Sequence, residues 1–485
     1  MNYRLSYKTL SNVPKTVQIP RYRPEQLSAG ILHIGVGNFH RAHQAYYLDK
    51  LFNAGKSHDW AIIGSGIMYS DARRREELMP QDWLTTCVEI GADTPKPRIL
   101  GSMIDFCPTQ PSALRDRLLN PDIRIVSLTV TEGGYFIDPD TGEFDYRHVG
   151  ILHDIKHFNA PMTVFGILLS ALHLRRKAGV PPFTVLSCDN LLGNGEAAHA
   201  ALFGLAEQIP AMDMAWVKDE VFCPNSMVDC ITPATTDKEL DFIREHYGYE
   251  DAAPVFCEPF HQWVIEDRFS SGRPDLEAVG VEFTDDVTRH EHLKLNILNA
   301  GHAAIAYVGT LLGYTYAHET IRDQHVLAWL EGVMNREVLP TLSPVHTVTP
   351  QAYLKTVVER FKNPAIKDTL SRLCEDGENR QPKFVFPSIY RALKAGLPVD
   401  GLALEVGFWC QYLTESPIST SAVNNAAIAS RDTPIAFIED SGIFGDLRQC
   451  EPFVQAFTYQ LSMLWQHGPR ETINQYLMAS HRASA

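Results

Sequence analysis

The chain contains no apolar run approaching the roughly 18 residues of a membrane-spanning helix, so a transmembrane helix is not expected. It has no C-x-x-C pair. Its 9 cysteines (Cys87, Cys107, Cys188, Cys223, Cys230, Cys257, Cys374, Cys410 and Cys450) are odd in number and scattered, a pattern that fits reduced thiols in a cytoplasmic protein better than a disulfide framework or a zinc ribbon. Sequence-local metal-ligand clusters are missing too, since His40 and His43 sit inside another motif, and no metal is expected. Positive charge is scarce: the formal net charge is −15, and the basic cluster Arg73-Arg74-Arg75 is short, which argues against nucleic acid as a partner. The opening Met1-Asn2-Tyr3-Arg4-Leu5 has no apolar segment behind a basic one, so no signal peptide is expected. No repeat or low-complexity segment is visible. No long exposed apolar helix calls for a partner, so a monomer is the expectation and a dimer the alternative.

With 485 residues, 45% of them hydrophobic and 21% charged, the chain fits a soluble protein of two domains. Apolar strands alternate with helical stretches up to about residue 284. Beyond that, helical patterns at Leu327–Val338, Pro350–Phe361, Ile366–Cys374, Ser388–Lys394, Gly401–Tyr412 and Pro452–Trp465 follow one another without strands. The expected fold is therefore α/β: a Rossmann-like, doubly wound domain over 1–284 and a mostly α-helical domain over 285–485.

Near residue 30 an apolar strand runs into Gly35-Val36-Gly37-Asn38-Phe39-His40 and a helical stretch over 41–51. Strand, glycine turn and helix form the context of a dinucleotide fingerprint, whose glycines permit close approach to a pyrophosphate. The third glycine is replaced by His40, so the match is incomplete and a merely tight turn remains open. After the next strand comes Asp71, late for a carboxylate that accepts from the adenosine ribose unless the loop folds back. A carboxylate there favours NAD, whereas Arg73 to Arg75 could attract the extra phosphate of NADP. The strands ending at Thr129-Val130-Thr131-Glu132 and Ser187-Cys188-Asp189-Asn190 deliver polar residues where open parallel sheets bind ligands, although either end could simply cap the next helix.

The stretch 291–308 reads as a buried helix interrupted by Lys294, Asn299 and His302. At about 100° per residue these share less than half of its circumference. A buried lysine is rare unless it is paired or used, and a depressed pKa would make it a base. The alternative is a lysine that snorkels at the helix start.

Taken together, Gly35-x-Gly37-x-Phe39-His40-Arg41-Ala42-His43-Gln44, Thr129-x-Thr131-Glu132, Ser187-Cys188-Asp189-Asn190, Met227-Val228-Asp229, Glu258-Pro259-Phe260, Gly272-Arg273-Pro274 and Lys294-x4-Asn299-x2-His302 resemble the polyol-specific long-chain dehydrogenases. This is the mannitol 2-dehydrogenase family, which also includes D-arabinitol dehydrogenases and fructuronate reductases. The resemblance implies NAD as cofactor, bound by Gly35, Gly37, Phe39, His40, Arg41 and Asp71. It implies Lys294 as the general base, Asn299 and Asn190 as donors to the reacting oxygen, and His302 as a residue that orients substrate. Asp229, Glu132, Arg372 and Arg380 are implied at the substrate, with Arg380 standing where mannitol dehydrogenases tend to have lysine. The expected reaction interconverts a polyol (D-mannitol first, D-arabinitol or sorbitol as alternatives) and its ketose. A fructuronate-type reductase is the rival reading, with Arg372 or Arg380 as the cation for a sugar-acid carboxylate. The segment ending in His318-Glu319 looks closer to the polyol branch. One departure is sharp: the family signature reads Val-Asp-Arg where this chain has Val228-Asp229-Cys230. That lost cation raises the further alternative of an NAD-binding regulator without turnover.

Overall fold

The computed structural model describes residues 3–91, 94–138, 143–345, 347–415 and 421–484; the first two residues of the expected lead-in lie outside them. The chain forms two compact units, Met1–Thr288 and Arg289–Ala485, so the division falls slightly beyond the expected 284/285.

The first unit is built on five short apolar strands: β1 (Ala29–Ile34), β2 (Ala61–Ser65), β3 (Met103–Phe106), β4 (Ile125–Leu128) and β5 (Thr184–Ser187). They pair in the order β3-β2-β1-β4-β5, every pair parallel. Side chains alternate across the sheet: Ile31, Ile125 and Leu186 enter one core, while Leu32, Ile34, Val126, Leu128 and Val185 enter another. Burial on both faces explains why these strands read as apolar runs without polar alternation. The chain leaves β1 toward β2 on one side and returns to β4 on the other, which makes the carboxyl ends of β1 and β4 the switch point where such sheets bind ligands. Helix Val164–Ala178, capped by Thr163 and closed by Gly179 at φ 69°, covers one face.

A second sheet sets β7 (Gln262–Glu266) between β6 (Ser226–Asp229), antiparallel, and β8 (Glu282–Thr284), parallel. The edge-like strand expected at 255–258 forms as Val255–Cys257 and pairs parallel with Thr85–Glu89.

The second unit is helical. Pro350–Phe361 forms as expected, with Thr349 as N-cap, while the helix expected to start at Ile366 begins only at Leu370. Thr369 is held back by bridging to Tyr316 and by capping the next turn. Trp329, Trp409, Phe408, Phe437 and Phe457 fill one core, shared by Ala300–Leu311, Asp400–Glu415 and the long helix Glu451–Ser484. That last helix kinks where Gly468 takes φ 75° before Pro469. Among the described residues no helix is long and apolar enough to cross a membrane.

Candidate active site

In the first unit β1 runs into Gly35 at φ 99°, where a Cβ would lie 2.2 Å from the carbonyl oxygen of Thr129, so only glycine fits. The turn is locked to the end of β4: Thr129 Oγ1 donates to Gly35 O at 2.6 Å, and His33 bridges Thr129 Oγ1 and Gly35 O. A Cβ on Gly37 would meet nothing closer than 3.9 Å. The glycine turn therefore opens a space in front of backbone N–H groups, as a pyrophosphate cradle requires.

The helix expected over 41–51 is two helices, Asn38–Ala42 and Gln44–Asn53, broken where His43 leaves helical geometry. His43 is held there by its Nε2 against Gln262 O, at 2.8 Å. The break changes what His40 and Arg41 can do. His40 is buried and stacks on His33 with ring centroids 3.6 Å apart; burial keeps both imidazoles neutral, that of His33 pushed down to about 3. Arg41 is buried with Nε on Gly37 O at 3.2 Å, one amino group on Asn38 Oδ1 at 2.6 Å and the other on Ala253 O. These side chains brace the turn from inside the protein instead of presenting charge to a ligand, whereas Phe39 stays half-buried and stacks on His43.

Asp71 folds back over the start of its own helix. Its Oδ2 accepts from Met68 N at 2.9 Å, and its carboxylate lies so close to Gly66 that a Cβ there would meet it at 2.1 Å. Burial nudges its pKa upward against these backbone donors. Arg73 and Arg74 both pair with Glu77, and Arg75 donates to Phe106 O.

Asp189 ties β4 to β5 by accepting from Val130 N, Thr131 N and Tyr135 Oη at 3.1, 2.9 and 2.6 Å. Within the first unit the flanking Glu132 and Asn190 are exposed at these strand ends. Thr131 takes φ 66° and ψ 167°, a region almost confined to glycine, so the turn that presents Glu132 is strained. Asp229 is buried at the end of β6.

In the second unit Lys294, Asn299 and His302 lie on one continuous helical segment, and its middle is not α-helical. Residues Lys294–Asn299 form a π turn between Thr288–Leu293 and Ala300–Leu311. In α geometry Lys294 and Asn299 are about 140° apart. The wider π turn bonds residue i to i+5 and brings its first and last side chains toward one face. Lys294 is buried and Asn299 half-buried. A fourth polar residue of the stretch, Asn296, accepts from Ser388 and Arg391 and donates to His292 O, anchoring the π turn to its neighbours.

His302 is buried, stacks on Phe361 at 4.2 Å, and has Nε2 3.9 Å from Asp368 Oδ2. Asp368 in turn receives Arg372 through two hydrogen bonds of 2.8 and 2.7 Å. Arg380 spends one amino group on Leu373 O at 2.8 Å, closing the short helix Leu370–Cys374. The two arginines expected to face substrate are thus both engaged.

Comparison with known proteins agrees with this architecture. Residues 29–278 match the mannitol dehydrogenase Rossmann domain, and residues 286–465 match the mannitol dehydrogenase C-terminal domain. The chain belongs to the mannitol dehydrogenase family. A mannitol 2-dehydrogenase of Cereibacter sphaeroides is 44% identical over 477 residues, covering 96% of this chain and 100% of that one. The structure of Pseudomonas fluorescens mannitol 2-dehydrogenase, a ternary complex with NAD and D-mannitol, matches with a TM-score of 0.86 and 40% identity over 98% of this chain and 99% of the other. A substrate-free D-sorbitol dehydrogenase gives a TM-score of 0.90 at 32% identity, covering 98% and 100%.

Within this mannitol dehydrogenase fold, Asp368 and Asn296 escaped the sequence reading. Asp368 left one usable signal, its i,i+4 spacing from Arg372. Cys230 is buried beside Cys257 and His261, a grouping that chain spacing did not reveal. Burial pushes the Cys230 thiol up, but hydrogen bonds with Cys257 and His261 outweigh it and lower it. Pairing with Cys230 raises His261 to about 9 against burial.

Proposed function

We propose that this protein is an NAD-dependent polyol dehydrogenase that interconverts D-mannitol and D-fructose, with Lys294 as general base. The observation that carries the reading is the buried Lys294 at the head of a π turn whose last residue is Asn299, in a chain of the mannitol dehydrogenase family. Bound NAD supplies the hydride acceptor. The glycine turn at Gly35 and Gly37 would hold its pyrophosphate, and Asp71 its adenosine ribose. Arg73 and Arg74 are neutralised by Glu77, which leaves little to draw the extra phosphate of NADP. Lys294 takes the proton of the carbinol hydroxyl as the carbon gives up hydride. Asn299 and Asn190 donate to that oxygen, where amide donors stabilise developing charge. His302 orients the substrate, and Asp229 and Glu132 provide acceptors for its hydroxyls. A lysine base, not a metal, removes the proton.

A sugar-acid substrate would need a cation for its carboxylate. Arg372 is committed to Asp368 and Arg380 to a main-chain carbonyl, which favours the uncharged polyol.

The test is initial-rate NADH formation at pH about 9 to 10, where the reference lysine of about 10.4 is increasingly deprotonated, on mannitol, arabinitol and sorbitol with fructuronate reduction alongside. Turnover on mannitol that falls by about 10²–10⁴ in Lys294→Ala is expected for loss of a general base. Fructuronate reduction without polyol oxidation would move the assignment to the sugar-acid branch. NADH binding with no turnover on any of these would support a regulator.

A further inference from the structure

Three side chains from separate stretches of the first unit, none of them assigned a part in the reaction, converge at one point. Cys230 follows β6, Cys257 ends the strand Val255–Cys257, and His261 lies on the turn before β7. One donor atom of each lies within 4.8 Å of the other two. Cys257 Sγ is 3.7 Å from His261 Nε2, and on its other side 3.6 Å from Cys87 Sγ of the neighbouring strand. In a tetrahedral zinc site, bonds of about 2.3 Å to sulfur and 2.0–2.1 Å to nitrogen put adjacent donors about 3.6–3.8 Å apart. The two measured separations fall in that range.

We propose that Cys230, Cys257 and His261 form a binding site for a divalent cation of the zinc class, with the Cys87 thiol beside Cys257 as a third sulfur next to the site. The donor set selects the metal. Thiolate and imidazole suit zinc, while magnesium and calcium demand oxygen. The surroundings of His261 fit a metal ligand as well. Its Nδ1 lies 3.3 Å from Pro259 O and 3.9 Å from Glu89 Oε1, the outer contacts that direct Nε2 to a metal, and its ring stacks on Tyr46 at 4.3 Å. Nε2 also stands 3.1 Å from Ala42 O, a hydrogen bond the cation would replace. On binding, the thiols lose their protons to solvent and the sulfurs donate electron pairs to the metal, so no oxidant or reductant is involved. The cation would pin the end of β6, the strand Val255–Cys257 and the turn before β7 to one another beneath the fingerprint helices. Where the family keeps an arginine, this chain would hold a metal.

The experiment uses the full-length protein, stripped with chelator under reducing conditions and titrated with cobalt(II). A single equivalent is expected to give thiolate-to-cobalt charge transfer with the intense visible bands of tetrahedral cobalt. Zinc should abolish these bands and raise the melting temperature. Cys230→Arg carries the family's own residue and should fold; it is expected to lose the charge-transfer band and bind cobalt at least tenfold more weakly. Cys257→Ser provides a second variant should the first unfold. Absence of the band in the unmodified protein, or equal affinity in both variants, overturns the proposal. So does a thiol count that shows Cys230 and Cys257 joined as a disulfide in protein kept reduced. The readout is spectroscopic, so it stands apart from whether the chain oxidises mannitol.

Discussion

Asp368 shows how one carboxylate can decide what its neighbours do. It lies between the His302 imidazole and the Arg372 guanidinium, with its side chain 9% exposed and that of Arg372 57% exposed. A half-exposed arginine contributes little by charge alone, but a two-bonded grip fixes the carboxylate's plane and with it the ring it faces. By this grip Arg372 would position His302, whether or not it also reaches substrate. Asp368→Asn is expected to lower kcat/KM on mannitol by roughly tenfold or more through misplacement of His302. Adding Arg372→Ala to that variant should cost little further, because two members of one network do not add. An Arg372→Ala change that raises KM equally with and without Asp368 would show instead that the guanidinium touches substrate. Beyond its i,i+4 spacing from Arg372, the local sequence does not mark Asp368 as part of the site, since what matters is its distance from a histidine 66 positions earlier.

At the scale of elements, the segment Thr288–Leu311 was legible as a buried helix with three polar interruptions, and the strands of the parallel sheet were legible as apolar runs. The π turn was not. Apolar periodicity averages over several turns and is blind to one extra residue, while a π turn is such a local insertion. The break at His43 was hidden for the same reason: it is fixed by a bond to Gln262 O, more than two hundred residues away. Cys230, Cys257 and His261 were likewise unreadable as a group, because a turn and a strand pairing bring them together, not spacing. The π turn yields its own prediction. Deleting Leu295, a half-buried residue inside it, should let the segment relax to a continuous α-helix that leaves Lys294 and Asn299 four positions and about 40° apart, close to their setting in the π turn. Helicity by circular dichroism should hold and kcat on mannitol should stay within about tenfold. A fall of about 10² or more, the loss expected when reacting groups are displaced by even 1 Å, would show that Lys294 depends on the π turn itself.

For the whole molecule, the formal charge of −15 means that a rise in pH adds to like-charge repulsion, and the interior points the same way. Two buried carboxyls of the helical unit are held toward their neutral forms. Burial raises Glu337 to about 7, although Gly401 N, Leu402 N and Tyr476 Oη all donate to it, and burial raises Glu405 to about 8. Glu405 has a particular reason to keep its proton. Gln381 Nε2 donates to its Oε1 at 2.7 Å, while Glu405 Oε2 and Gln381 Oε1 have no partner among the described residues. A proton on Oε2 lets acid and amide close a doubly bonded pair; a charged Glu405 cannot. Both folded values lie above the ordinary glutamate value of 4.5, so the folded state binds protons more tightly than the unfolded chain. This contribution is complete below about pH 4.5 and is lost as pH rises through about 7 and 8, each group being worth on the order of a few kcal/mol. Asp323, lowered to about 2, loses its contribution only in acid, outside that window. The melting temperature of the helical unit should therefore drop between pH 5 and 8.5 in calorimetry. Glu405→Gln, which keeps an amide pair with Gln381 and carries no charge, should match the unmodified protein near pH 4.5 and exceed it by several degrees at pH 8.5. Identical pH slopes for the two proteins would mean that Glu405 is ionised in the fold and that its second oxygen finds stabilisation elsewhere.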